Sequence, residues 1–387
     1  MSGSPAVLLI NSMGTGGAER AVAMVAGGLR SRGRDVRILC LEKASANEAL
    51  PTDVPVELLS GMKASSGAAM KFSALPVLAA RLAGYVRRER AEVVISHLFR
   101  ANFVNVLSTT LGRSRHKVIV VNHTRVSRLA NDGIQGRINM MLCRRLYPRA
   151  NLVASVSEGS RGESADLLGI PRGKTATLHD PIDTEAAAAA SDSARPARAI
   201  VAVGRLIGLK RMCDIVDAFE RIAPDYPDVE LRIIGDGPER GALEHRALRG
   251  TSAARVRFLG RLANPLPSMA GCSAFVSASE TEGFGMAIVE ALAVGIPVIA
   301  SDCAFGPREI LAPGTDPLRR LDPGEETETG QFGILFPVGS VTGLEKELRR
   351  LLDDAGLRAE LSRKGPPRAA DFSIGSSLDA YEKLLND

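Results

Sequence analysis

Two pairs of charged residues stand out by type and spacing. Glu282 and Glu290 lie eight positions apart around the turn Gly283-Phe284-Gly285, and Arg205 and Lys210 lie five apart around Gly208. Carboxylates accept hydrogen bonds from hydroxyl groups, in which sugars and ribose are dense. Two cations around a glycine turn can flank a diphosphate and stabilise the charge that builds as a nucleotide departs. The plainer readings are a capping carboxylate with an exposed helical glutamate, and two solvated surface cations. Neither explains why both carboxylates flank one Gly-Phe-Gly loop.

Two further loops carry candidate chemistry. Gly14-Thr15-Gly16-Gly17 opens a helix that continues Ala18-Glu19-Arg20, so backbone N–H groups are offered to an anion there. Glu19 occupies the third glycine position of a G-x-G-x-x-G fingerprint, which weakens a dinucleotide reading and leaves a simple strand-to-helix turn as the competitor. Asn122-His123-Thr124 ends a strand, where a histidine is either a structural hydrogen-bonder or part of a binding cleft. His97 occupies a similar strand end, as acceptor-side lining at best.

Alternating apolar runs and amphipathic stretches would position these loops. Strands are expected at Val7–Asn11, Val36–Leu41, Val93–Ser96, Val118–Asn122, Leu152–Ser155 and Thr175–Leu178, with helices such as Gly17–Ser31 and Arg137–Leu146 between them. A second series runs through Ala199–Val203, Val229–Ile234, Val256–Leu259, Ala274–Ser277, Val298–Ser301 and Gly333–Phe336, with helices Arg211–Ile222, Met286–Val294 and Val341–Leu352. The fold class is α/β, with two doubly wound, Rossmann-like domains facing across a cleft at their strands' carboxyl ends. The domains are expected at 1–180 and 199–375, with residues 181–198 as an Ala/Ser/Pro-rich linker, or alternatively a surface helix.

The bulk properties agree with two cores in 387 residues, 45% of them hydrophobic and 24% charged. Five scattered cysteines form no metal or disulfide pattern. The Met-Ser-Gly-Ser-Pro start lacks a basic n-region, and no apolar run reaches membrane-span length, so a cytoplasmic protein is expected. Charge divides unevenly: residues 1–180 carry a net +12 and residues 181–387 a net −7. The basic half points to an anionic partner. Met70 to Arg90 combines Phe72, Leu75, Leu78, Leu82, Tyr85 and Val86 with Lys71, Arg81, Arg87, Arg88 and Arg90. That pattern fits either an anionic membrane surface or a core-packed helix; the charge of the half favours the membrane. With no Trp, four Tyr and no nucleic-acid motif, a nucleic-acid partner is not expected.

With Glu282-Gly-Phe-Gly-Met-Ala-Ile-Val-Glu290 as its most specific part, the chain resembles the family-four retaining glycosyltransferases of GT-B fold. Gly16-Gly17-Ala18-Glu19-Arg20 and Val203-Gly204-Arg205-Leu206 with Lys210 match in the family's order. The resemblance implies that Glu282 and the backbone of Gly283, Phe284 and Gly285 hold the donor sugar, and Glu290 the ribose. It implies that Arg205 and Lys210 bind the diphosphate, that Gly16 and Gly17 approach the donor phosphate, and that His123 contacts the transferred sugar. Gly235-Asp236-Gly237-Pro238 and Val256-Arg257-Phe258-Leu259-Gly260 correspond to segments around the base, and Arg308-Glu309-Ile310-Leu311 to a stretch near the donor. Arg211 stands where the family often has Gly, and the last helix, 376–387, is expected to return to the first domain.

The expectation is a retaining transferase moving a hexose or N-acetylhexosamine from a nucleotide-diphosphate sugar, UDP favoured, to a lipid or lipid-linked glycan. The chain would act peripherally at the inner membrane face. No cofactor and no metal are expected, because Arg205 and Lys210 supply the positive charge. The rival readings are a non-catalytic sugar-nucleotide-binding partner protein and another nucleotide-dependent α/β enzyme, an epimerase or oxidoreductase.

Overall fold

A computed structural model of the chain describes residues 4–44, 50, 52–131 and 133–386. It divides into two compact units, Met1–Pro181 with Ile374–Asp387, and Ile182–Ser373.

Unit 1 is built on a parallel sheet of β1 (Ala6–Ile10), β2 (Val36–Cys40), β3 (Val56–Leu58), β4 (Val93–His97), β5 (Lys117–Asn122), β6 (Leu152–Ser155) and β7 (Thr175–Thr177). The spatial order is β3-β2-β1-β4-β5-β6-β7. Every residue of β1 is buried, which is why its sequence is an unbroken apolar run: helices cover both faces of the sheet. Each of Leu8, Leu9 and Ile10 removed from water stabilises the fold by roughly 1.5–3 kcal/mol. The helix Gly17–Ser31 buries Ala21, Val22, Val25, Ala26 and Leu29 at helical spacing. Against it lies the last helix, Ile374–Asn386. Leu378 fills the space left by Gly28, and Arg32 reaches Asp379 at 2.7 Å and Glu382 at 2.8 Å.

The helices Ala68–Ser73 and Leu75–Glu89 correct the membrane reading of residues 70–90. Leu75, Leu78, Leu82, Tyr85 and Val86 belong to the unit's core, and Phe72 packs against it. The basic end is occupied too: Arg81 and Arg87 donate to the backbone carbonyls of Leu59 and Gly112. Helical periodicity alone does not say whether an apolar face meets a core or a bilayer; here it meets the core.

Unit 2 repeats the plan with β8 (Ala197–Val203), β9 (Glu230–Ile234), β10 (Val256–Gly260), β11 (Cys272–Ser277), β12 (Val298–Ser301), β13 (Glu328–Thr329) and β14 (Ile334–Phe336). The order is β10-β9-β8-β11-β12-β14-β13, parallel except for β13 against β14. Met212, Ile215, Val216, Phe219 and Ile222 form the buried stripe of one covering helix, Met212–Ile222. The segment read as a linker is an integral part of this unit. Its alanines form a helix, Thr184–Asp192, capped by Asp183 and buried at Ala187 and Ala190. High helix propensity, not flexibility, is what the alanine run encodes. Ile182 and Ser373, the first and last residues of the unit, pair in a parallel bridge.

Candidate active site

In both sheets the chain reverses its direction of strand addition in the middle of the sheet, between β1 and β4 and between β8 and β11. Open parallel sheets bind ligands at the carboxyl ends of strands at such a switch point. The loops carrying Gly16 and Gly17, Arg205 and Lys210, and Glu282 leave those ends, while His123 follows β5 and Gly235 follows β9.

At the unit 2 switch point, the loop after β8 supplies Gly204, Arg205 and Lys210, and the loop after β11 supplies Ser279 to Gly285. The Lys210 Nζ donates to Glu282 Oε1 at 2.5 Å, and Ser279 Oγ donates to the same oxygen at 2.6 Å. The loops are fixed through their backbones: Glu280 N–H binds the Leu209 carbonyl at 2.8 Å and Glu282 N–H the Ala304 carbonyl at 3.0 Å. The ammonium retains donors for a second acceptor while held by Glu282. Arg205 is exposed and has no ion-pair partner among the described residues. An unpaired guanidinium thus stands on the same loop as an oriented ammonium, the arrangement a diphosphate needs.

Arg211 sits at φ 45°, ψ 41°, in the left-handed region that glycine favours. The turn keeps its shape because the guanidinium is anchored to Asp214 at 2.7 Å across the first turn of the following helix. Gly235, at φ 140°, is required for a different reason: a Cβ there would lie 1.8 Å from the Gly204 carbonyl oxygen. The loops after β8 and β9 therefore touch backbone to backbone, and Gly204 N–H closes the contact on the Ile234 carbonyl at 3.0 Å.

The remaining unit 2 candidates divide. Glu290 is buried in the helix Met286–Ala293, whose start at Gly285 has no side-chain cap and offers its first amides to an acceptor. The Phe284 ring packs edge-on against Phe372, with centroids 5.1 Å apart, so at this turn Gly283, Phe284 and Gly285 present backbone rather than side chain. β10 is an outer strand. On it Arg257 faces solvent while Phe258 packs onto the core, so the ring expected at the base turns inward. Arg308 is also interior: its Nη2 lies 2.5 Å from Asp302 Oδ2 and its Nη1 3.0 Å from Glu328 Oε1, with 1% of the side chain exposed. It braces the loop after β12.

In unit 1, Gly17 is the first residue of its helix and Gly16 the cap position, without a side-chain cap. His123, at the end of β5, is held between two groups. Its Nε2 lies 2.9 Å from His97 Nδ1, and its Nδ1 3.1 Å from Asp180 Oδ1. Burial, and secondarily the neighbouring His123, push the His97 pKa well below the ordinary histidine range, so His97 stays neutral. The Tyr381 ring of the last helix stacks beside His97 at 6.4 Å. Asp180 and Ser279 were not singled out from the sequence. Their only signal is position, just beyond β7 and three residues before Glu282.

A cavity of about 450 Å³ opens beside His123 at the ends of β1, β2, β4 and β5, lined by Asn11, Glu42, Arg100, Asn122 and Arg125 among others. A second depression, of about 420 Å³, lies at the amino ends of β2 and β3, among Arg37 and Glu57, away from all candidate loops.

The chain is similar to known proteins in sequence and in fold. The Glycosyltransferase Family 4 profile matches residues 15–186, and the Glycosyl transferases group 1 profile matches residues 197–354. The N-acetylgalactosamine-N,N'-diacetylbacillosaminyl-diphospho-undecaprenol 4-alpha-N-acetylgalactosaminyltransferase of Campylobacter jejuni is 27% identical over 384 residues, 98% of each chain. The phosphatidyl-myo-inositol mannosyltransferase of Mycolicibacterium smegmatis is 31% identical over 199 residues, 49% of this chain and 46% of that protein. Among solved structures, HepE of Anabaena in complex with UDP and glucose superposes with a TM-score of 0.76 at 19% identity, covering 99% of this chain and 100% of that one. The sucrose-phosphate synthase of Thermosynechococcus elongatus gives 0.79 at 17%, over 98% of both chains. With the two profiles matching one after the other along the chain, and the fold shared end to end, this protein belongs to the family-four glycosyltransferases of GT-B fold.

Proposed function

We propose that the protein transfers a hexose or N-acetylhexosamine from a UDP-sugar to a lipid-linked glycan, with retention of the anomeric configuration. The observation that carries this reading is the Lys210–Glu282 contact across the unit 2 switch point, with Arg205, which has no ion-pair partner among the described residues, on the same loop as Lys210. The Campylobacter relative, named for an acceptor on undecaprenol diphosphate, supports the acceptor class. The HepE complex with UDP supports the donor base.

In this reading unit 2 binds the donor. Arg205 and Lys210 take the diphosphate oxygens, Glu282 and the amides of residues 283–285 take sugar hydroxyls, and Glu290 takes the ribose. The bond from the anomeric carbon to the phosphate oxygen breaks, and an acceptor hydroxyl forms the new bond on the same face. Its proton passes to the departing phosphate oxygen. The negative charge gathering on that diphosphate is stabilised by the two fixed cations more strongly than in the ground state, which is what accelerates the step. The same two charges fill the role a divalent ion has in other transferases, so EDTA is expected to leave turnover intact.

Membrane attachment is part of the proposal, through a different helix from the one the sequence favoured. Gly133–Leu146 exposes Ile134, Ile138 and Met141 at helical spacing, with exposed Arg137, Arg144 and Arg145 beside them. An apolar stripe flanked by arginines suits an anionic bilayer surface. Among the described residues, no helix is long and apolar enough to cross a membrane.

The test is a panel of UDP-, GDP- and ADP-sugars with a prenyl-diphosphate-linked sugar acceptor, the product anomer being read by NMR. Transfer from a UDP-sugar with retention is expected. An inverted product, or transfer only from another base, would overturn the corresponding part.

A further inference from the structure

Three strand ends of unit 1 bring His97, His123 and Asp180 into one chain of polar contacts. His97 ends β4, His123 follows β5 and Asp180 lies beyond β7. His97 Nδ1 and His123 Nε2 stand 2.9 Å apart, so one proton lies between them: none would set lone pair against lone pair, and two would clash. On the far side of the ring, Asp180 Oδ1 stands 3.1 Å from His123 Nδ1. That contact is bent away from straight hydrogen-bond geometry. Even so, a carboxylate oxygen so close to a bare nitrogen lone pair would be repelled, so Nδ1 carries a proton.

The neutrality of His97 places the remaining proton. His97 is fully buried and uncharged, so it has a single N–H to direct. On Nδ1, that N–H points at His123. On Nε2 it would be a buried donor with no hydrogen-bond partner among the described residues, and His123 would have to become an imidazolium. An orphaned buried donor costs about 1–3 kcal/mol, and the new charge would form on a side chain 5% exposed. The first arrangement avoids both costs and leaves only an acceptor unmatched, at His97 Nε2. The donors therefore run in one direction, from His97 through His123 to Asp180.

Asp180 is not needed to hold the strand end. Asn122 does that: its Oδ1 accepts from the Tyr147 hydroxyl at 3.1 Å and its carbonyl from Val156 N–H at 3.2 Å. Nor is Asp180 spent on a cation, since no Lys or Arg lies within ion-pair distance of it among the described residues, although it is buried. We propose that Asp180 and His97 are positioning residues for the transfer: together they set His123 in the neutral Nδ1–H tautomer, with both ring nitrogens engaged inside unit 1. His123 then enters the reaction as an oriented, uncharged ring and moves no proton through a nitrogen. An aspartate fixes a histidine tautomer in the same way in Ser-His-Asp triads, where the amide substitution keeps the geometry and gives the wrong tautomer. The effect on turnover rests on the proposed transfer reaction; the tautomer does not.

The experiment is proton–nitrogen-15 correlation of the imidazole rings in the full chain at about pH 8, above the ordinary histidine range. The chain has five histidines, so the signals are few, and His123→Gln assigns the one in question. Wild-type His123 is expected as neutral Nδ1–H. Asp180→Asn, nearly isosteric, is expected to convert it to Nε2–H, to lower turnover at least about tenfold and to leave UDP affinity within about twofold. His97→Asn keeps an N–H donor at the place of Nδ1 and is expected to preserve the tautomer, whereas His97→Leu is expected to lose it; all variants should melt cooperatively. A wild-type ring found as Nε2–H or imidazolium, an unmoved tautomer in both Asp180→Asn and His97→Leu, or a converted tautomer with unchanged turnover overturns the proposal. The tautomer is read without substrate, so the two readings fail separately: transfer with an unmoved tautomer refutes the positioning alone, and a converted tautomer in a chain that transfers no sugar refutes the reaction alone.

Discussion

The two units place loops at equivalent points of equivalent sheets, yet treat charge in opposite ways. Around the unit 2 switch point, charged groups are matched: Lys210 with Glu282, Arg211 with Asp214, Arg308 with Asp302 and Glu328. Arg205 and Glu280 have no ion-pair partner among the described residues, and both are exposed, where an unpaired charge costs little. In unit 1, the partly buried guanidinium groups of Arg125 and Arg128 have no ion-pair partner among the described residues, beside a cavity. Unpaired charge costs little at an exposed position and more where burial removes part of its water.

The sharpest way to break that contrast is to remove arginines from both sides. Arg308→Ala leaves Asp302 buried and unpaired, and is expected to destabilise the protein by about 3–5 kcal/mol. Arg125→Ala/Arg128→Ala removes charge that nothing balances, and the melting temperature is expected to hold or rise. A fall in the double variant comparable to that of Arg308→Ala would show that the unit 1 cations are satisfied after all. Thermal melts of the three proteins, side by side, decide it.

A backbone change sharpens the comparison from the unit 2 side. Gly235→Ala sets a Cβ against the Gly204 carbonyl at a φ of 140°, and both strain and clash act on the loop bearing Arg205. A loss of about 3 kcal/mol is expected, with weaker UDP binding. Chemical denaturation and titration would check both halves of this outcome.

Unit 1 also carries an acid sensitivity. Burial lowers the His116 pKa to about 4. Its Nε2 stands 2.9 Å from Asn105 Oδ1 and its Nδ1 3.1 Å from Ser114 Oγ, so the neutral ring is fully used. The unfolded chain binds a proton near pH 6.5 that the folded chain refuses, so stability is full above that pH and falls as pH drops towards 4. The loss between pH 7 and 5 is about 2 kcal/mol from this group, and His97 acts in the same direction. His116→Gln should flatten the melting temperature against pH; an unchanged slope would assign the effect elsewhere.

The same contrast explains what was legible from the sequence. Gly204 to Lys210 and Ser279 to Glu290 form contiguous runs, because a donor diphosphate is read by loops whose shape depends on neighbouring glycines and charges. The helix Gly17–Ser31 is legible for a similar reason: its buried stripe is set by local spacing. The unit 1 cavity draws Glu42, Lys71, Arg100 and Arg125 from four separate stretches, and no local pattern joins them. β3 escaped notice because Val56 and Leu58 lie exposed on an outer strand, which needs no apolar run. The inward turn of Phe258 and the burial of Arg308 depend on tertiary packing, which a motif match does not encode.

The central claim is that Lys210 acts on the charge of the departing diphosphate. Steady-state turnover and donor affinity of Lys210→Ala, measured with the cognate nucleotide sugar in the presence of EDTA, test it most directly. Turnover is expected to fall about 10²–10³-fold, with donor dissociation changing by less than about tenfold. Equal losses in both would make Lys210 a binding group only, and unchanged turnover would remove it from the reaction.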